Sequence, residues 1–168
     1  LEFRRVLFRS RYARFFLAVQ QEARKHDPDA VVMGYAYSNY RRPPRETTLN
    51  EHIYIGIVPG GWMFGDAGAL GDMLTQWDGW AATGARMMLR PNYMLDGHNM
   101  PMYAADTIGE HVRHCAHHGM IATDFDSLTG QYATQGPNLY TLARLTARPD
   151  LTVNEVLGEF YAAFGPAA

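Results

Sequence analysis

Cysteine is almost missing from this chain. Cys115 alone occurs among 168 residues, which excludes an internal disulfide framework and any multi-cysteine zinc site. No apolar run approaches the roughly 20 residues that a bilayer-spanning helix needs. A basic excess is lacking too. The formal net charge of -2 and the pI near 6.4 leave no electrostatic footprint for nucleic acid, which is set aside as a partner. Nor does a phosphate-cradling turn follow any apolar run, because GWMFGDAGALG (61–71) comes after Pro59 and has neither the Walker lysine nor GxGxxG spacing.

What is present is apolar surface. A hydrophobic content of 47% with 12% aromatics supplies one sizeable core, and one globular domain is the default at this length. The first ten residues, LEFRRVLFRS, stand apart. Arg4, Arg5 and Arg9 punctuate an apolar string that carries no cap, and VLFRS resembles the translated end of a sequencing adaptor. Residues 1–10 are therefore expected to be non-native and to pack on nothing, with the native chain running over 11–168. Without them the net charge becomes about -4.

From Tyr12 the pattern is periodic. Tyr12, Phe15, Phe16, Val19 and Ala23 predict one buried helical face, ended by Asp27-Pro28. Ala30 to Tyr37 is a nearly unbroken apolar run, as for a parallel strand covered on both faces. RRPPRE (41–46) is a proline-stiffened connection. His52 to Val58 predicts a second strand. Met73, Leu74, Trp77 and Ala81 predict a helix with Gly84 as its cap, and Ala85 to Leu89 a third strand. Thr107 with Glu110 has capping-box spacing for the next helix. Met120 to Thr123 predicts the fourth strand, and Pro137 suits the first position of the helix after it. Thr152 with Glu155 opens a last helix that ends at Gly165-Pro166.

The predicted order is thus α, β, β, α, β, α, β, α, α. Near-continuous apolar strands alternating with helices predict an α/β fold with about four parallel strands and flanking helices. That fits part of a (β/α)8 TIM-type barrel or a small doubly wound sheet, and the missing phosphate turn speaks against the second. Polar and aromatic clusters fall just after strands, where a barrel carries its chemistry.

Three motifs in this order, YAYSNYRRPP (35–44), TQGPNLYTLARL (134–145) and PDLTVNEVLGEFYAAFGPAA (149–168), resemble the bacterial domain of unknown function family 4838, from about Arg11 to the end. That family is similar to glycosidase barrels, alpha-glucuronidases among them, and is commonly attached to carbohydrate-active modules. The resemblance implies the C-terminal half of such a barrel, with strands of the N-terminal half missing, acting on an oligosaccharide or a uronic-acid-bearing glycan. A secreted or periplasmic setting is preferred. A non-catalytic carbohydrate-binding barrel and a metal-dependent hydrolase are the alternatives.

Most glycosidases use two carboxylates about 5 to 10 Å apart. Asp124 and Asp126 are the best placed, in acid/base or electrostatic roles, although each could equally be a loop acid bonding backbone amides. Tyr37, Asn39, Tyr40, Trp62, Asn92 and Tyr93 offer aromatic faces for sugar C–H surfaces and planar polar groups for hydroxyls. Their ordinary alternative is packing between strands and helices. Trp77 and Trp80 are expected in the core or on a helix surface. His111, His114, Cys115, His117 and His118 invite a metal reading, since His114 and His118 share a helical face. No HExxH glutamate accompanies them, so a histidine-rich last turn facing the helix dipole is the expectation. No metal and no cofactor are assigned.

Overall fold

The computed structural model describes residues 2–59, 67–92, 103–125 and 132–165, with side chains from Ser10 in the first segment and from Gly71 in the second. In chain order the elements are α1 (Glu2–Ala23), β1 (Val32–Ala36), β2 (Ile53–Ile57), α2 (Ala67–Ala81), β3 (Arg86–Leu89), α3 (Ala105–His117), β4 (Met120–Thr123), α4 (Tyr132–Ala147) and α5 (Val153–Ala162). The fold is α/β, with one sheet of four parallel strands in the order β1-β2-β3-β4.

Strand order that follows the sequence puts every right-handed crossover on the same side of the sheet, whereas a doubly wound sheet reverses its order part-way. Burial along the strands agrees. Ala36, Ile53, Ile55, Ile57, Met87 and Leu89 point to one face and are almost wholly buried among Trp77, Trp80, Ile108, Val112 and Cys115. Their neighbours on the opposite face are far wetter, with Met33 48% exposed, Arg86 exposed and Tyr54 only partly covered. The arrangement is compatible with one arc of a (β/α) barrel.

The β1-to-β2 crossover has no helix, and RRPPRE takes its place. A single 3₁₀ turn over Ser38–Tyr40 follows β1, and the chain then lies against α2. The Trp80 indole donates to the Arg41 carbonyl at 2.7 Å, and the Leu49 N–H donates to the Thr83 carbonyl at 2.7 Å. Pro43 packs over Gly79.

Several local expectations are corrected. Phe15 and Val19 do not face the sheet: they are 59% and 38% exposed, while Ser10, Ala13, Phe16 and Gln20 form the buried stripe of α1. The helix is continuous from Glu2, and its docking is set by the Phe16 ring packed onto β1 at Gly34. β1 is not covered on both faces, as Met33 reveals. α3 starts two residues before Thr107, with Ala104 as N-cap and no side-chain cap of its own. Instead Asn138 of α4 accepts the Ala104 N–H at 2.9 Å. α4 starts at Tyr132, so Pro137 lies inside it. The carbonyl that proline leaves without a partner belongs to Ala133, in the exposed first turn. Other local expectations fit the structure. Thr152 and Glu155 form a reciprocal capping box at α5, and Gly84 follows α2 with φ 93°.

Candidate functional site at the C-terminal ends of the strands

Backbone pairing carries the sheet one residue beyond its strands on the open face. The Arg90 N–H donates to the Ile57 carbonyl at 2.9 Å, and the Asp124 N–H to the Leu89 carbonyl at 3.0 Å. Strand alternation then puts Arg90 and Asp124 on the face of Tyr35 and Gly56, away from the helices. Three strands meet through one carboxylate oxygen. Asp124 Oδ2 accepts from the Tyr35 hydroxyl at 3.0 Å and from Arg90 Nε at 3.1 Å. The Arg90 guanidinium also lies over the Tyr35 ring at 4.7 Å and donates to Asn92 Oδ1 at 3.3 Å.

Gly56 makes this possible. A Cβ there would sit 2.7 Å from the Tyr35 ring, so a side chain on β2 would drive the tyrosine off the sheet. Beside the cluster opens a cavity of about 190 Å³, lined by Tyr35, Tyr37, Val58, Arg90 and Asn92. Ser38, directly after Tyr37, holds φ 49°, a left-handed backbone that costs a non-glycine residue on the order of 1 kcal/mol. The Asp124 side chain keeps 35% of its surface exposed and Arg90 only 18%, so the acid is open to solvent while the guanidinium stays braced. Both bonds at Asp124 come from donors, so its Oδ2 acts as an acceptor here.

Of the residues singled out by sequence, Tyr37, Asn92 and Asp124 come together here. Asn39 lies exposed in the 3₁₀ turn. Tyr40 does not line the cavity and stacks on Tyr12 of α1, with ring centroids 4.0 Å apart. Trp62, Tyr93 and Asp126 lie outside the described residues. Trp77 and Trp80 are core. Glu51 and His118 precede their strands and so stand at the opposite rim.

Tyr35 and Arg90 were missed. Tyr35 sits inside an apolar run and read as core. Arg90 had a signal, a charge directly after a buried strand, the same position that drew attention to Asp124.

The whole of residues 8–168 matches Domain of unknown function (DUF4838). The chain belongs to the DUF4838 family. The match begins slightly before Arg11 and includes every strand and the Tyr35–Arg90–Asp124 cluster. No curated protein and no solved structure matches the chain.

Among the described residues of this DUF4838 domain, the donors able to gather round a metal are Asp78, His114 and His118, far from Asp124 in the topology. Cys115 is fully buried, and burial pushes its thiol up, with the Asp78 charge adding to the effect. A thiol so protected from ionisation is packing material. No helix among the described residues is long and apolar enough to cross a membrane.

Proposed function

We propose that this DUF4838 domain is one half of a glycoside hydrolase-like (β/α)8 barrel, whose remaining strands lie outside this chain, and that it binds an oligosaccharide or uronic-acid-bearing glycan at the Asp124 rim. The observation that carries the reading is the convergence of Tyr35, Arg90 and Asp124 beside the cavity lined by Tyr37 and Asn92. Tyr35 and Asp124 belong to strands three positions apart, about 14 Å on a flat sheet. Their contact supports a sheet that curls toward its open face, as a barrel interior does. A groove of about 610 Å³ between Thr123 and Phe125 on one side and Leu139 and Leu142 of α4 on the other offers a further strand an apolar seat.

The chemistry suits a sugar. The Tyr37 ring offers a face for C–H groups, Asn92 exchanges hydrogen bonds with hydroxyls, and Arg90 matches a uronate carboxylate. A cavity of this size is one subsite, smaller than the roughly 300 Å³ of ordinary ligand pockets. With Tyr35 and Arg90 both donating to it, Asp124 takes the role of the ionised member of a hydrolase pair, stabilising positive charge at the anomeric carbon or acting as base. Asp126 is the candidate for the second acid.

None of the described residues lining the cavity is acidic, and this favours, as a second reading, a glycan-binding barrel without turnover. A hydrolysis and binding screen of the full-length protein against glycan panels, with and without chelator, separates the two. Hydrolysis that falls on the order of 10²-fold in Asp124→Asn and persists with chelator supports the first reading. Saturable binding without turnover supports the second. Turnover abolished by chelator would sink both in favour of metal-dependent hydrolysis.

A further inference from the structure

The histidine-rich end of α3 has a partner that its own sequence does not show. Asp78, on α2, places Oδ1 3.1 Å from His114 Nε2. His114 and His118 stack with ring centroids 3.9 Å apart and planes within 11°. One donor atom from each of Asp78, His114 and His118 lies within 4.8 Å of the others. We propose that these three side chains form a surface site for one divalent transition-metal ion of the zinc class, which fastens α2 to the last turn of α3. The proposal is independent of the glycan reading, because α3 ends where β4 begins, at the rim opposite Asp124.

Two imidazoles and a carboxylate are borderline donors that suit zinc, with the fourth tetrahedral position left to water. His118 is already oriented for the task. Its Nδ1 bonds the His114 carbonyl at 2.7 Å, so in the neutral ring Nδ1 carries the proton and Nε2 the lone pair. That back-bond to a carbonyl is the support that metal-binding histidines commonly have. The backbone of His118 is anchored in turn, since the fully buried Trp77 donates its indole N–H to the His118 carbonyl at 2.9 Å. Trp77 and Asp78 are adjacent on α2, so one short stretch supplies both an anchor for the histidine turn and a ligand. Asp78 and His118 are exposed and His114 is partly so, which leaves the site open to ions from solution. Binding requires the two stacked rings to tilt so that both imidazole lone pairs meet at one ion, and the ion takes the place of the His114–Asp78 hydrogen bond.

The test is calorimetric titration of the tag-free full chain with Zn²⁺, with Co²⁺ as a spectroscopic probe. One equivalent is expected, with the visible absorption of a four-coordinate Co²⁺ centre and a Zn²⁺-dependent rise in Tm. His114→Ala, His118→Ala and Asp78→Asn should each weaken binding at least about 10-fold. His117→Ala, exposed on the same turn but outside the cluster, should bind as the parent does. Circular dichroism checks folding, and the exposed Asp78→Asn variant carries the test if a histidine variant unfolds. Failure to bind one equivalent, or equal weakening by His117→Ala, overturns the proposal.

Discussion

The two faces of the sheet use the same strands for opposite purposes. Ile53, Ile55, Ile57, Met87 and Leu89 look toward the helices and are sealed from water. Between them, pointing the other way, stand Met33, Tyr35, Tyr54, Arg86 and Met88, then Arg90 and Asp124 at the strand ends. The covered face is held by apolar area, which has no direction, and an unpaired polar group placed there would be costly. The open face is held by a few directional bonds between charged and phenolic groups. Stability belongs to the first face, and the proposed recognition to the second.

Substitutions should separate the two. The largest effect is expected from Trp77→Ala on the covered side, because it opens a cavity and removes the bond to the His118 carbonyl; urea unfolding should show a loss of about 3 to 5 kcal/mol. A loss below 1 kcal/mol would break the comparison.

Acid comes next. His111, buried on α3, is pushed down to about 4, first by burial and then by His114. Its folded value lies below the usual 6.5, so the unfolded chain takes up the proton first. This contribution to stability is intact above about pH 6.5 and is lost as pH falls through 4, by on the order of 3 kcal/mol. His111→Gln should flatten that slope in denaturant midpoints measured from pH 7 to 4.

On the open face the effects shrink. Tyr35→Phe removes one hydrogen bond to Asp124 and keeps the ring under Arg90, so about 1 kcal/mol of stability should go. Met33→Lys should change the stability of this chain by less than about 0.5 kcal/mol, because Met33 is already in water. The same substitution in a longer protein that closes the barrel should cost several times more, and equal costs in the two settings would count against closure.

The sequence made the sheet legible because strand signals are local. Met120 to Thr123 lies between Gly119 and Asp124 and forms β4 with those bounds. Helix starts were harder where the cap comes from elsewhere. Nothing near Ala104 announces that Asn138 will bond its N–H, so the nearest local signature, Thr107, drew the boundary instead. The buried stripe of α1 was misread for a related reason. The apolar residues at Phe15 and Val19 suggested a face, but contact with Gly34 rotates the helix to bury Ala13, Phe16 and Gln20. For the site, Asp124, Tyr37 and Asn92 carried a positional cue after strands. Tyr35 was hidden by its apolar neighbours, and Asp78 by the 36 residues that separate it from His114.

The crossover between β1 and β2 also bears on the order in which the chain assembles. Its fastenings, Trp80 to the Arg41 carbonyl and the Leu49 N–H to the Thr83 carbonyl, both lie on or just after α2, which emerges from the ribosome later than either strand it serves. Until α2 docks, the connection from Arg41 to Leu49 is an open loop whose closure entropy is offset by the short β1–β2 ladder alone. The first strand pair and α2 must therefore consolidate as one cooperative step, and the Leu49 amide should exchange with solvent at the rate of α2 rather than at the rate of a loop.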